Sequence, residues 1–433
     1  MKLLKNNIKT KIGHLSIRLC IFMYDFKTKN GTIGRLLFSC YQGILKIVNI
    51  STFPIVDAKS YKGRFGVFYT ESIEKKRIGV QGHIVLAGEN LDTNLKNNMI
   101  QKDLPDLKLE LFKDVCISGN SDIVVDIKNN FVISNTSYNI DDNEEVVDGL
   151  LYRTRQNVCL LRNNMKNIDQ HISSGIMISG KFCYNYYHII FENLIRLLYI
   201  DKLNISNDIP IIVDKKTIDI PSCRKILDIL LQGNKRDIIT IESNRIYHFN
   251  NLYHINNVNL FPGHILNTNK WNGNYLYYPE AIIELKNRLL KHKSDKKFPE
   301  KIFVSRARVN VRQFNEDEVF SILKKYGFEK VFPELLTFED QMALFSSAKY
   351  IVAGSGAALS NLLFLNNYCN VICFGISDGH NAKEIPVFNT IANINDAKFI
   401  FFPRRYSEKK GGIHSNFTID CEKLDRFISS YLD

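Results

Sequence analysis

Between residues 301 and 374, hydrophobic and polar positions follow the periods of alternating strands and helices. Apolar residues recur at helical spacing between Asn315, which forms a capping pattern with Glu318, and Gly327, which ends the run. Thr337 repeats the capping pattern before a second helix. Apolar runs predict strands near residue 301 and at residues 328–332, 350–353 and 369–374. This alternation predicts a parallel, doubly wound sheet.

The same alternation occurs upstream, so the chain is predicted to contain two Rossmann-like halves. Strands are predicted at residues 175–179, 209–213 and 237–241, with a helix at about 185–201 and another opened by Pro221. A further helix at about 279–292 leads into a charged segment, residues 292–300, which is a reasonable hinge. We expect a ligand to lie between the halves.

Short apolar runs separated by turns occupy the region before the first half and predict antiparallel strands. The resulting organisation is a basic arm at residues 1–54, a β-rich region at 55–150, a first half at 151–295 and a second half at 296–433. We expect the second half to end in a helix. The predicted fold class is α/β.

Composition fits a folded protein, because 45% of the 433 residues are hydrophobic. The nine cysteines are odd in number, scattered and not spaced like zinc ligands, which fits a reducing cytoplasm. Cys369 and Cys373 lie four apart on a predicted strand, where we expect small buried side chains.

Positive charge is concentrated at the amino terminus. Residues 1–54 hold nine lysines and arginines against one aspartate, so they supply eight of the chain's twelve net positive charges. Apolar residues interleave with these charges, which predicts an arm on an anionic membrane surface. The alternative is an arm that packs on the protein or is solvated. No nucleic-acid-binding motif accompanies the charge, so we expect no nucleic-acid partner.

The second half carries residues suited to binding a diphosphate. Ser305 and Arg306 follow a predicted strand, and Arg308 and Arg312 come shortly after. Ligands of open α/β sheets bind at such strand ends, where arginines give bidentate contacts to phosphate. A glycine-broken turn follows the strand at 350–353 and opens a helix, whose amides and dipole favour an anion. Its residues are Gly354, Ser355, Gly356 and Ala357.

A polar stripe marks the helix predicted at residues 185–201. Asn185, His188, Glu192 and Arg196 are three, four and four apart, which places them on one helical face. Burial would demand a partner for each group, so we expect the stripe to face solvent or a cleft. One interpretation makes His188 or Glu192 a general base, with Arg196 orienting Glu192. The other is a series of ordinary helix pairs.

Several chemistries have no motif in this sequence. The chain lacks an Asp-x-Asp pair, a Walker phosphate loop, a Gly-x-Ser-x-Gly elbow and a His-Glu-x-x-His motif. We therefore expect neither a metal site nor a cofactor. The negative charge of a bound diphosphate, including charge that develops on it as a leaving group, would be stabilised by arginine and backbone amides.

Together these residues resemble glycosyltransferase family 61. The first matching block comprises Asn185, Tyr186, His188, Glu192 and Arg196. The second comprises Ser305, Arg306, Arg312, Asn315, Glu316, Phe338, Gln341, Phe345, Ala348, Gly354 through Asn361, and Phe364. The resemblance implies a GT-B fold and metal-independent, inverting transfer from a nucleotide-sugar. It also implies that the first half holds the acceptor and the second half the donor. Asn361 would then help to bind the donor, and Gln341 would support the site.

One departure from the family pattern stands in the glycine turn. The family usually carries His-Gly-Ala-Gly-Leu, whereas Ser355 replaces the histidine here and Ala358 replaces the second glycine. Serine donates a hydrogen bond but cannot act as a histidine base.

These expectations lead to a cytoplasmic hexosyl-, pentosyl- or N-acetylhexosaminyltransferase, peripheral to the inner face of the membrane. Its partners would be a nucleotide-sugar and a glycan or lipid-linked glycan of a capsular or other surface polysaccharide. One alternative is a noncatalytic glycan-binding or scaffold protein of a polysaccharide assembly complex. Another is a pyruvyl or phosphosugar transferase on a similar fold.

Overall fold

A computed structural model describes most of the chain after residue 106. The described residues are 32–33, 36–37, 40, 51–57, 65–71, 77–81, 98–102, 107–129, 131–134, 145–146, 150–155, 158–161, 167–202, 205–259, 265–266, 276–377, 386–406 and 415–432. The basic arm predicted at residues 1–54 therefore lies largely outside them.

The β-rich region and the first half contribute strands to one sheet of eleven strands. Its amino-terminal part is mostly antiparallel, as the short apolar runs separated by turns predict. One exception is the parallel pair of β1 (Ser51–Asp57) with β7 (Phe131–Ser134). The strands of this part are β1 (Ser51–Asp57), β2 (Phe65–Glu71), β5 (Leu107–Ile117), β6 (Val124–Asp126), β7 (Phe131–Ser134), β9 (Leu151–Arg155) and β10 (Val158–Leu161). Two small ribbons pair β3 (Arg77–Gln81) with β4 (Asn98–Lys102), and β8 (Glu145–Val146) with β15 (Ile265–Leu266).

Four parallel strands form the first half of the predicted pair. They are β11 (Gln170–Met177), β12 (Ile211–Asp214), β13 (Ile238–Ile241) and β14 (Tyr247–Ile255), in the spatial order β13, β12, β11, β14. This is the order of half a Rossmann fold. The chain passes from β11 to β12 and β13 on one side of β11, and β14 then lies on its other side. The strand order therefore reverses between β11 and β14, and ligands of such sheets usually bind at this switch point.

The helix predicted at residues 185–201 is present but changes its hydrogen-bond pattern. It begins as α1 (Tyr186–His188), widens into a π turn (Ile189–Asn193) and tightens into a 3-10 helix (Leu194–Lys202). We call this whole element the 186–202 helix. A π turn holds more residues than an α turn and often marks a functional site. The remaining helices of the first half are α2 (Lys215–Ile218), α3 (Pro221–Leu230) and α4 (Pro279–Leu290).

The second half has a six-stranded sheet. Its parallel strands lie in the spatial order β17 (Glu329–Val331), β16 (Lys301–Val304), β18 (Tyr350–Gly354), β19 (Asn370–Ser377) and β20 (Lys398–Tyr406), and β21 (Phe417–Thr418) is antiparallel at the edge. This is the flavodoxin-like order, whose switch point lies between β16 and β18. The predicted strand and helix alternation is therefore confirmed in this half.

The second half contains the helices predicted after Asn315, after Thr337, after the glycine turn and at its end, with one error at a cap, and also a helix at Pro386–Ile394 that was not predicted. They are α5 (Glu316–Lys325), α6 (Phe338–Ser347), α7 (Pro386–Ile394) and α8 (Cys421–Leu432), with 3-10 helices at Pro333–Leu335 and Ala357–Phe364. Thr337 caps α6 by accepting from the Asp340 N–H. Asn315 precedes α5 but does not cap it, because its amide hydrogen-bonds the backbone N–H and C=O of Ile419.

One hydrophobic core contains residues of both halves, and smaller clusters lie within the second half and within the eleven-stranded sheet. Buried residues of the 186–202 helix, α3 and α4 form a single cluster with those of α6, α7 and the 357–364 helix. Cys369 and Cys373 belong to it as buried thiols, as expected. Among the described residues, no helix has both the length and the apolar character needed to cross a bilayer.

Candidate functional site

The switch point of the second sheet brings the two predicted phosphate-binding segments together. Ser305 and Arg306 directly follow β16, and Ser355 and Gly356 directly follow β18, its neighbour. Because the carboxyl ends of adjacent parallel strands meet at one edge, residues fifty positions apart share this site.

Glu316 fixes the loop that carries Arg306. Its carboxylate accepts from the Ser305 hydroxyl at 2.5 Å and from the Arg306 N–H at 2.8 Å, and it lies 3.4 Å from Nζ of Lys330. Ser305, predicted to bind the donor, therefore contacts the first turn of α5. The sequence placed Glu316 in the family motif, but gave no indication that it fastens this loop.

Arg306 crosses from β16 to the glycine turn. Nη1 donates to the carbonyl of Ser355 at 3.3 Å, and Nη2 donates to the carbonyl of Val311 at 3.1 Å. A Cβ on Gly356 would overlap Nη1, and one on Gly354 would lie 2.9 Å from Cδ. The two glycines therefore give the guanidinium its space.

Arg312 reaches the same carbonyl from the opposite loop. Its Nη1 donates to the Ser355 oxygen at 3.0 Å. The backbone of Arg312 has a φ of 56°, a left-handed conformation that is uncommon outside glycine and is concentrated at functional sites. Nε of Arg312 and Nε of Arg306 are both buried, and neither has a hydrogen-bond partner among the described residues.

Arg404, near the end of β20, is a buried arginine of this site that the sequence reasoning missed. Its guanidinium carbon lies 4.8 Å from the ring of Tyr406 and 5.0 Å from that of Phe417. The available signal was the apolar run at residues 399–402 ending in arginines, which marks the carboxyl end of a further parallel strand.

The three arginines, Arg306, Arg312 and Arg404, form what we call the arginine cluster. Burial, followed by the charge of Arg312, lowers the pKa of Arg306 to about 10. Burial and then the charge of Arg404 also lower the pKa of Arg312. Like charges held together away from water favour an anion with several oxygens. The cluster is thus suited to a diphosphate.

The turn after β18 differs from the prediction in its helix type. Residues Ala357–Phe364 form a 3-10 helix, so its carbonyls and amides follow a tighter ladder than an α-helix would give. Ser355 is buried, and its hydroxyl has no hydrogen-bond partner among the described residues. The hydroxyl that replaces the family's histidine is therefore a buried polar group whose hydrogen-bonding capacity the described residues leave unused.

His188 and Glu192 form a close pair on the 186–202 helix. Nδ1 of His188 lies 2.7 Å from Oε1 of Glu192. The two residues are 7% and 4% exposed, so their environment is largely shielded from water. The stripe was expected to face solvent or a cleft, and its burial is possible because the two groups satisfy each other.

The expectation that the stripe faces solvent or a cleft is wrong for Arg196, which is fully buried. It donates to the backbone carbonyls of Glu192, Ser179 and Ile255 and to Oδ1 of Asn193. Ser179 and Ile255 lie at the ends of β11 and β14, so Arg196 fills the switch point of the first sheet. Burial lowers its pKa. Its predicted role in orienting the Glu192 carboxylate stays a prediction.

Asp214, at the end of β12, is a further buried charge that sequence reasoning did not identify. Its carboxylate accepts from the N–H of Asn120 at 2.6 Å and of Gly180 at 3.2 Å. Burial outweighs these hydrogen bonds and raises the pKa of Asp214 from about 3.8 to about 7.

Hydrogen bonds join the two motif blocks across the halves. The Tyr186 hydroxyl donates to Oδ1 of Asn361 at 3.1 Å, and the Asn361 amide donates to Oε1 of Gln341 at 3.3 Å. Gln341 in turn donates to the Ser222 hydroxyl in α3. Asn361 and Gln341 thus lie between the halves, and the donor-binding role of Asn361 stays a prediction. Asn185 caps α1 by accepting from the Tyr187 N–H.

Histidine, cysteine and acidic side chains do not gather into a metal-ligand set of three or more in the part of the chain that the structure describes. The candidate site therefore consists of the arginine cluster with its glycine turn, and the His188–Glu192 pair on the adjoining helix.

Comparison with known families gives one result. Residues 186–372 match the family model described as Glycosyltransferase 61. The matched span includes His188, Glu192, Arg306, Arg312 and the glycine turn, whereas Arg404 lies beyond it. The match confirms the resemblance read from the sequence and indicates a glycosyltransferase. No curated protein matches the chain.

Proposed function

We propose that this chain is an inverting enzyme of glycosyltransferase family 61, which transfers a sugar from a nucleotide-sugar to a glycan. The match of residues 186–372 to the model of that family supports the proposal. The observation that carries the donor assignment is the arginine cluster at the second switch point. Arg306 and Arg312 converge on one carbonyl and keep buried Nε groups without partners among the described residues. Two phosphates would supply the missing acceptors.

Cleavage of the donor places negative charge on the diphosphate. The bond between the anomeric carbon and the diphosphate oxygen breaks, and its electron pair stays on that oxygen. Arg306, Arg312 and Arg404 would stabilise this charge in surroundings already shielded from water. We propose that these guanidiniums take the place of a divalent metal ion, so the reaction needs neither metal nor cofactor.

The acceptor hydroxyl needs a base as it attacks the anomeric carbon from the opposite side. His188 is the stronger candidate of the pair, because Glu192 lies on its Nδ1 side and leaves Nε2 at the far side of the ring. Nε2 would receive the hydroxyl proton, and Glu192 would stabilise the resulting imidazolium. In-line attack inverts the anomeric configuration.

The wider setting extends this proposal. The two sets of parallel strands, one in each half, support a GT-B arrangement with the donor on the second half. The charge of residues 1–54 supports a cytoplasmic location at the inner face of the membrane, where glycans of a capsule or another surface polysaccharide are assembled.

A noncatalytic glycan-binding or scaffold protein is the second candidate. It is favoured by Ser355, which stands where the family usually has histidine and cannot accept a proton as histidine does. Such a protein need not bind nucleotide diphosphates, so calorimetry with UDP and GDP separates the two candidates.

Turnover of a nucleotide-sugar panel tests the enzyme directly. UDP-glucose, UDP-galactose, UDP-N-acetylglucosamine, UDP-xylose, GDP-mannose and dTDP-rhamnose would be screened for hydrolysis and transfer. We expect turnover of at least one donor, and its loss in Arg306→Ala. Arg308→Ala is the matched control, because Arg308 lies in the same loop but is exposed beside Phe332. Failure of the wild-type protein to turn over any donor would contradict the proposal and favour a binding or pyruvyl-transfer role.

A further inference from the structure

A row of aromatic side chains leads from the surface to His188. The ring of Phe182 lies 4.6 Å from the ring of His188 and 6.2 Å from the ring of Tyr184. His188 is buried, Phe182 is half-buried, and Tyr184 is 56% exposed. The row therefore connects solvent to the base proposed above.

The backbone under this row is held in an unfavourable conformation. Phe182 has a φ of 52°, in the left-handed region, which is unfavourable for a bulky residue. The carbonyl of Phe182 accepts from the Asn185 N–H at 2.8 Å, so the strained turn leads directly into α1. Such strain persists where surrounding structure fixes it, and it is concentrated at ligand sites.

Tyr184 is held in place without being covered. Nζ of Lys216 lies 5.5 Å from the centre of its ring, and Phe182 meets that ring edge to face. More than half of the side chain still faces water. An aromatic ring fixed in this way offers an apolar face and a hydroxyl to a ligand with matching features. A pyranose has both, since its C–H groups lie on one face and its hydroxyls at the rim.

We propose that Phe182 and Tyr184 form a binding platform for the acceptor glycan. This assignment rests on the proposed function, because it takes the acceptor hydroxyl to His188. Phe182 stands between Tyr184 and His188, so a sugar on Tyr184 is one unit removed from the sugar that reacts. The platform therefore selects acceptors of at least two sugar units.

Binding of simple glycosides tests the platform without turnover. The probes are p-nitrophenyl β-glycosides of glucose, galactose and N-acetylglucosamine, and of their β-1,4-linked disaccharides, titrated by saturation-transfer NMR. We expect the wild-type protein to bind at least one disaccharide more tightly than its monosaccharide. Tyr184→Ala should weaken that binding at least tenfold, and Tyr184→Phe should retain it.

Tyr368→Ala is the matched control, since Tyr368 is an exposed tyrosine of the second half. It should bind the disaccharide like the wild-type protein. Pyrophosphate binding should be the same in all four proteins, which shows that the donor half is folded. Equal disaccharide binding by Tyr184→Ala and wild type, or no preference of the wild type for any disaccharide, would overturn the platform. The proposed function fails separately, through absence of turnover in the nucleotide-sugar panel.

Discussion

The guanidinium of Arg306 occupies the space that a side chain at Gly356 would need. Gly356 has a φ of 173°, an extended conformation open to any residue, so the glycine serves close approach and not an unusual turn. We predict that Gly356→Ala displaces Arg306 and weakens binding of inorganic pyrophosphate at least tenfold, measured by calorimetry.

Gly233→Ala is the control for Gly356→Ala. Gly233 has a φ of 91° and no neighbour within 4 Å of a built Cβ, so only backbone strain results. Its free energy of unfolding should fall by about 1 kcal/mol while pyrophosphate affinity stays unchanged. Wild-type affinity in Gly356→Ala would show that the position of Arg306 does not govern anion binding.

The variant Arg312→Met should lose most of its pyrophosphate binding while its folded state stays about as stable as that of the wild type. Arg312 is a half-buried cation whose pKa is lowered by burial and by Arg404, so the folded state without ligand gains little from its charge. We expect urea denaturation to place the variant within about 1 kcal/mol of wild type. Thermal stabilisation by pyrophosphate, clear in the wild type, should be mostly lost. Arg308→Met should behave like wild type, and strong destabilisation by Arg312→Met alone would assign Arg312 a structural role.

Asp214 should make stability depend on pH. Its pKa is raised by burial to about 7, so the folded state binds more protons than the unfolded state between roughly pH 4 and 7. The contribution is therefore fully present below pH 4 and is lost as pH rises to 7. The slope approaches about 1.4 kcal/mol per pH unit. Asp214→Asn should flatten the slope in urea denaturation between pH 4.5 and 7.5, and an unchanged slope would contradict this account.

Tyr186→Phe tests the connection between the halves. The substitution removes the donor to Oδ1 of Asn361 and should lower the free energy of unfolding by about 1–2 kcal/mol. Tyr326→Phe is the control, because it removes a hydroxyl bonded to Asp425 within the second half. Hydrogen exchange in α6 should accelerate only in Tyr186→Phe, since Asn361 holds Gln341 of that helix. Equal acceleration in both variants would count against a specific link.

Local signals predicted the second half well because they act over a few residues. Gly327 ends α5 with a φ of 80°, and Thr337 caps α6 through a bond three residues away. Asn315 failed as a cap because Ile419, 104 residues distant, takes its amide. No pattern near Asn315 indicates that competition.

The candidate site was predictable where it follows strand ends and was not where it depends on packing. Arg306 and the glycine turn were found from strand order and residue type. The prediction of an exposed polar stripe assumed a regular α-helix. The 186–202 helix instead contains a π turn and a 3-10 segment, and Arg196 is buried in the interior. Arg404 joins the cluster only through the order of the sheet, which one sequence does not reveal.

The position of Arg196 predicts how many anions one chain binds. Arg196 donates hydrogen bonds to the carbonyl of Ile255, at the end of β14, and to that of Ser179, just after β11. A side chain of the protein itself thus fills the switch point of the first sheet. We therefore predict that only the switch point of the second sheet binds an anion. Titration with pyrophosphate should reach saturation at a single equivalent per polypeptide.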